Sequence, residues 1–174
     1  KTGHELPVTI YYEGQPEKGL YFTGPDAGYP KKPVQIWTQG EMEDSRHWLP
    51  CYDYPNNKAT FELHITARSR FTVVGGGTLI ETKEDKKAQL KTWHYRMDTP
   101  VPAYLIMLAA GDFEVQRSEA EGVPIKNYVA KGLREKMNRS FSKTGAMLAL
   151  FNELTGVNYP YSKYAQICVQ DFIF

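Results

Sequence analysis

The sequence is short of several things that would assign a function outright. It has only two cysteines, Cys51 and Cys168, too few for a disulfide framework, and two buried free thiols are the expectation. The longest apolar run, residues 103–110, falls far below the roughly 20 residues that cross a bilayer, so no membrane segment is expected in this chain. Charge is nearly balanced, with 21 basic and 20 acidic side chains for a formal net charge of +1. That leaves no basic surface to argue for nucleic acid or an anionic membrane as partner. Of the histidines His4, His47, His64 and His94, no two lie four apart, and there is no Cys/His cluster; no familiar zinc spacing is present. A Gly-x-Ser-x-Gly elbow is missing. The triplet Gly75, Gly76 and Gly77 lacks the strand–GxGxxG–helix setting of a phosphate loop.

What is present describes a folded, β-rich protein. At 174 residues the chain can bury roughly 70% of its unfolded surface, enough for one solid core or two small ones. Aromatics make up 13%, with 12 tyrosines, which favours strands. Residues 8–12 read as a strand, followed by a Gly/Pro-rich loop to residue 34 in which Leu20, Tyr21 and Phe22 form a short strand. Residues 60–67 alternate, Phe61, Leu63 and Ile65 on one face and Thr60, Glu62, His64 and Thr66 on the other. Residues 71–80 read as a hairpin turning on the three glycines, and 81–88 as a charged, solvated loop. Residues 89–97 alternate again, with His94 and Arg96 outward; both His64 and His94 are read as solvent-facing. Pro100 and Pro102 break that pattern, and 104–110 read as a strand buried on both faces. From 134 to 154 the spacing predicts one amphipathic helix stopped by Gly156, with a short strand at 164–169. The fold class expected is therefore mainly β followed by α/β. An antiparallel β-sandwich or saddle-like domain fills 1–114, and α/β structure begins at 115–174.

The segment from Trp37 to Phe61 concentrates unusual residues: Gln39, Glu41 and Arg46, then a turn bounded by Pro50 and Pro55. A Glu and an Arg five apart in a loop are commonly a surface ion pair worth roughly 0–1 kcal/mol. Trp37, Trp48, Leu49 and Pro50 are expected to bury this loop, and a buried carboxylate must be paired. Either Arg46 neutralises Glu41, or a ligand cation does.

The same segment resembles, without a gap, the signature of the aminopeptidase N-type zinc metallopeptidases, often written TQxExxxARxxFPCxDxPxxKAxF. Gln39, Glu41, Arg46, Pro50, Cys51, Asp53, Pro55, Lys58, Ala59 and Phe61 fall at the matching intervals. Met42 stands where that family often has proline, and Tyr54 where it often has an acidic residue. Pro102-Ala103-Tyr104-Leu105 through Gly111-Asp112-Phe113 is similar to a second family landmark, and Tyr159-Pro160-Tyr161 with Lys163-Tyr164 to a third. Val169-Gln170-Asp171-Phe172 looks like the strand end that leads into the family's GxMEN loop. With no initiator Met and an apolar terminus, the chain is expected to be a piece of a longer polypeptide that stops just before that loop.

The resemblance implies that 1–114 is most of the family's N-terminal β domain. Residues 115–174 would be the opening strand–helix–strand of its thermolysin-like catalytic domain. It implies an enzyme that removes N-terminal amino acids from peptides, using Zn²⁺ held by residues outside this chain, so that this chain alone binds no zinc and is inactive. Glu41 would be one of the carboxylates that hold the substrate's α-ammonium, and Gln39 would line the first side-chain pocket. Arg46 and Asp53 would brace the loop. Partners implied are a peptide with a free N-terminus and the remainder of the catalytic domain. A non-catalytic scaffold member of the same family and a free-standing β-sandwich binding module are the alternatives. The compartment is open.

Overall fold

The computed structural model describes residues 6–172. Its strands in chain order are β1 (Leu20–Thr23), β2 (Gln35–Thr38), β3 (Lys58–Arg68), β4 (Thr72–Gly75), β5 (Thr78–Asp85), β6 (Leu90–Pro102), β7 (Leu108–Gly111), β8 (Phe113–Ala120) and β9 (Val123–Ala130). Helices α1 (Arg134–Phe141) and α2 (Thr144–Thr155) follow, then β10 (Tyr164–Ile167). Three sheets result, ordered β1-β2-β7-β4, β3-β6-β5 and β10-β9-β8. The first two are antiparallel throughout, whereas β10 runs parallel to β9. A parallel pair needs a crossover, and α1 and α2 supply it.

The β1-β2-β7-β4 sheet is the middle layer, because successive strand residues face opposite ways. On β4, Val73 packs with Trp93, Tyr95 and Ala110 towards the β3-β6-β5 sheet, while Val74 packs with Phe113 and Tyr128 towards the β10-β9-β8 sheet. Fully burying a side chain of this size contributes about 1.5–3 kcal/mol. Tyr95 also donates its hydroxyl to the Val73 carbonyl at 2.9 Å. The chain past β10 returns to the middle layer, where the Gln170 N–H donates to Oε1 of the buried Gln35 at 2.9 Å.

Several sequence expectations need correction. Residues 8–12 form no strand; Val8, Ile10 and Tyr11 are exposed, and no neighbouring strand pairs with them among the described residues. The glycine triplet does not close a hairpin. It carries the chain from one sheet to another, since β4 pairs with β7 and β5 with β6, and Gly77 at φ +76° makes the bend next to the Arg96 carbonyl. Of the charged run expected as a loop, 81–85 belong to strand β5, an edge strand whose eight residues are all exposed, while 86–88 do lie in the turn that follows; charge on an edge discourages pairing with other chains. Strand β6 continues through Pro100 to Pro102, because the register shift opposite, between Ala59 and Phe61, loosens the ladder there. The run at 104–110 opens with a short 3-10 turn, Ala103–Leu105, before β7. The single long helix is two, α1 and α2, and Gly156 in the left-handed region ends the second. Cys51 and Cys168 are free, as expected, but exposed rather than buried.

Candidate functional site

Gln39 and Glu41 lie just past the end of β2, on the loop that leads to a 3-10 turn at Ser45–His47. The backbone of this loop is held at several points. The Gln39 N–H donates to the Gly19 carbonyl at 3.0 Å, and the Asp44 N–H donates to the Gly40 carbonyl at 2.9 Å. Ser45, fully buried, donates its hydroxyl to the Ala103 carbonyl at 3.0 Å. Gly40 fills the tightest position: a β-carbon there would stand 2.5 Å from the Ser45 hydroxyl and 2.8 Å from Tyr104 Cα. Only a residue without a side chain fits.

From Gly40 the chain turns outward, and Glu41 is exposed. This corrects the expectation of a buried loop. Trp37 is buried, but Trp48 and Leu49 are half-buried and Pro50 is exposed, so the cover they were expected to give is partial. The Glu41 N–H donates to Gln39 Oε1 at 2.5 Å. Its carboxylate has no hydrogen-bond or ion-pair partner among the described residues. The peptide between Glu41 and Met42 is cis.

Arg46 does not neutralise Glu41. Its guanidinium donates to Glu43 at 2.7 Å and to the Asp53 carbonyl at 3.0 Å, and it lies 5.2 Å from the Tyr54 ring centroid. Asp53 is 3% exposed; its carboxylate accepts the Arg46 N–H at 2.9 Å and has the guanidinium Nε at 3.7 Å. The structure thus joins Arg46 to Asp53 and leaves Glu41 exposed, with Gln39 half-buried and turned to the Glu41 N–H. Glu43, Ser45 and Gly40, which fix this arrangement, were not singled out by the sequence. A signal existed for Glu43, which stands three residues before Arg46, the spacing of neighbours on a helical turn.

Two clefts among the described residues leave out the side chains of Gln39, Glu41, Arg46 and Asp53, although one of them is lined by Trp37 and Thr38, just before Gln39. The other, of about 410 Å³, runs between the glycine bend and the segment before β10, lined by Gly76, Arg96, Tyr159 and Lys163 among others. In it the Lys163 ammonium donates to the Gly75 carbonyl at 3.0 Å and to that of Gly77. Burial, then the nearby Lys126 charge, lowers its pKa to about 8.

Chemically, the loop offers one carboxylate without a partner and one amide side chain, on a backbone fixed by glycine and a buried hydroxyl. It can accept hydrogen bonds from a cation. Its other acidic groups are held within the loop, Glu43 and Asp53 by Arg46 and Asp44 beside the His47 imidazole at 3.6 Å.

Comparison with known proteins places this loop in context. The family model of the Peptidase M1 N-terminal domain matches residues 1–105. The chain is similar to Transcription initiation factor TFIID subunit 2 of Danio rerio, 27% identical over 98% of this chain and 15% of that protein. It is similar to Aminopeptidase N of Acetobacter pasteurianus, 27% identical over 97% of this chain and 48% of that protein. Glutamyl aminopeptidase of Rattus norvegicus is 26% identical over 78% of this chain and 14% of its own length. The chain spans less than half the length of each of these relatives.

Proposed function

The chain belongs to the peptidase M1 family through its N-terminal domain, and from that premise we propose that it is part of a zinc-dependent aminopeptidase, a hydrolase that removes N-terminal amino acids from peptides. Glu41 accepts the substrate's α-ammonium, Gln39 borders the first side chain, and Arg46 with Asp53 braces the loop that carries them. The observation that carries this reading is Glu41 itself. Its position matches the family's amine-binding glutamate, and its carboxylate meets no partner among the described residues, whereas Glu43 and Asp53 on the same loop engage Arg46 and Asp44 lies beside His47.

Exposure decides what else the reading requires. An open ion pair in water is worth roughly 0–1 kcal/mol, whereas a pair about 4 Å apart at an effective dielectric near 20 is worth roughly 4 kcal/mol before desolvation. Amine recognition strong enough to select a chain terminus needs Glu41 covered. The remainder of the catalytic domain is the cover proposed, and 115–174 its opening portion, a reading supported by the crossover that leads from β9 through α1 and α2 to a parallel β10. Residues 1–114 are then the β domain.

Zinc does not fit the four residues assigned to this site. Gln39, Glu41, Arg46 and Asp53 include no histidine, and Asp53 is buried against Arg46; three nitrogen, sulfur or carboxylate ligands around one open position are the usual catalytic set. The metal's ligands are proposed to lie outside this chain. What the chain contributes is binding and orientation, a fixed negative charge that selects a free N-terminus.

The test uses the longer protein. Glu41→Ala should lower kcat/KM on an amino-acid p-nitroanilide by about 10²–10³, or roughly 3–4 kcal/mol. A variant with near-wild-type kcat/KM would remove Glu41 from the site. The purified 174-residue chain should show no hydrolysis of the same substrate, and activity free of contaminants would contradict the proposal.

A second reading is supported by the TFIID subunit 2 similarity, which extends over 98% of this chain and comes from a protein named for transcription initiation rather than for peptidase activity. On that reading the longer protein is a scaffold, and Glu41 is an ordinary surface charge. An intact HExxH with a downstream Glu in the longer sequence, together with hydrolysis, separates the two.

A further inference from the structure

The outer face of the β3-β6-β5 sheet gathers residues that lie far apart in the chain. His64 on β3 is paired in register with His94 on β6, and Glu81 on β5 is paired with His94 from the other side. Cross-strand partners share a face, so these side chains form a row across the sheet. Glu62, two residues before His64, stands on the same face. The imidazoles of His64 and His94 stack with centroids 4.1 Å apart and planes at 16°. Both turn Nε2 towards one carboxylate oxygen: Glu62 Oε2 is 2.6 Å from His94 Nε2 and 4.0 Å from His64 Nε2. One ligand atom from each of Glu62, His64 and His94 lies within 4.8 Å of the others.

Against the expectation that this chain alone binds no zinc, we propose that Glu62, His64 and His94 form a binding site for a divalent transition-metal ion of zinc's class. Two imidazoles and a carboxylate are the donor set such ions prefer, whereas Mg²⁺ and Ca²⁺ take oxygen. Ligand atoms about 2.0–2.2 Å from a tetrahedral ion stand roughly 3.3–3.5 Å from each other. The observed separations straddle that value, and side-chain rotation closes the difference without moving the strands. The metal takes the place of the proton in the His94–Glu62 hydrogen bond, that proton leaves to solvent, and a water takes the fourth position.

The surroundings favour a cation. Lys83 and Arg96, the basic groups flanking the row, are each engaged by their own carboxylate, Glu81 at 2.8 Å and Asp98 at 3.0 Å. The His94 side chain is only 14% exposed, so one of the three donors is held by its neighbours before any ion arrives. The inference rests on sheet register and stands whether or not Glu41 binds an amine.

The experiment titrates the metal-free 174-residue chain with Zn²⁺ against a chromophoric chelator, with Mg²⁺ in excess throughout. One equivalent should bind with a dissociation constant below about 100 μM. His64→Thr and His94→Thr keep β-forming residues on the strands and should each weaken binding at least about tenfold. Unchanged affinity in both variants, or no binding below about 1 mM, overturns the proposal. Histidine ring NMR of the unsubstituted chain removes any dependence on how the variants fold: the lines of His64 and His94 should shift together at one equivalent of Zn²⁺, with that of His47 unmoved. Movement of His47 or His4 while His64 and His94 stay fixed would equally overturn it.

Discussion

Glu41 and Glu62 are both exposed carboxylates, and their surroundings differ in kind. Glu41 stands on a loop whose backbone is fixed by Gly40, Ser45 and the Arg46–Asp53 pair, and its carboxylate meets no partner among the described residues. Glu62 stands on a strand whose neighbours are set by register, and its carboxylate meets His94. The first arrangement aims a charge at something the chain does not supply. The second assembles its donors from within the chain. A loop fixed through its backbone holds a direction; a sheet face fixed through pairing holds a constellation.

The contrast meets its strongest test on the loop. Asp53→Ala removes the buried acceptor of the Arg46 N–H and should destabilise the chain by about 2–3 kcal/mol, read as a lower urea midpoint at unchanged slope, while Zn²⁺ affinity stays as it was. Gly40→Ala drives a methyl into the Ser45 hydroxyl and Tyr104 and should cost about 1–2 kcal/mol, measured the same way. If it cost nothing, the close packing that aims Glu41 would be without consequence.

A pH-dependent effect is expected at the joint between the middle layer and the β3-β6-β5 sheet. The Lys163 pKa is lowered to about 8 from 10.5, so the native chain holds this proton less tightly than the unfolded one. The associated stability is full above the unfolded value and is lost as pH falls through 8; stability therefore rises with pH between 8 and 10.5. Urea midpoints should climb over that window in the unsubstituted chain and lose that component in Lys163→Met. Equal pH slopes in the two proteins would show that Lys163 is not held this way.

Legibility in the sequence followed locality. The loop residues Gln39, Glu41, Arg46 and Asp53 fall in one contiguous segment, so the resemblance to the family signature picked them out, and the alternation of β3 was equally plain. What spacing could not show was burial, because Gly40 rather than Glu41 takes the inward position. The pairing of His64 with His94 was invisible for a different reason: the residues lie on separate strands with two others between them in the chain, and only register brings their rings together. Charge misled at β5, where an exposed edge strand reads as a loop. The hairpin of β8 and β9 left one overlooked signal, Glu121-Gly122, both at positive φ between paired strands.

The most direct measurement of the central claim compares two substrates of the longer protein, an aminoacyl p-nitroanilide and its counterpart lacking the α-amine. If Glu41 holds the ammonium, Glu41→Ala should lower kcat/KM on the first by about 10²–10³ and leave the second within about twofold. Equal losses on both substrates, or none on either, would contradict it.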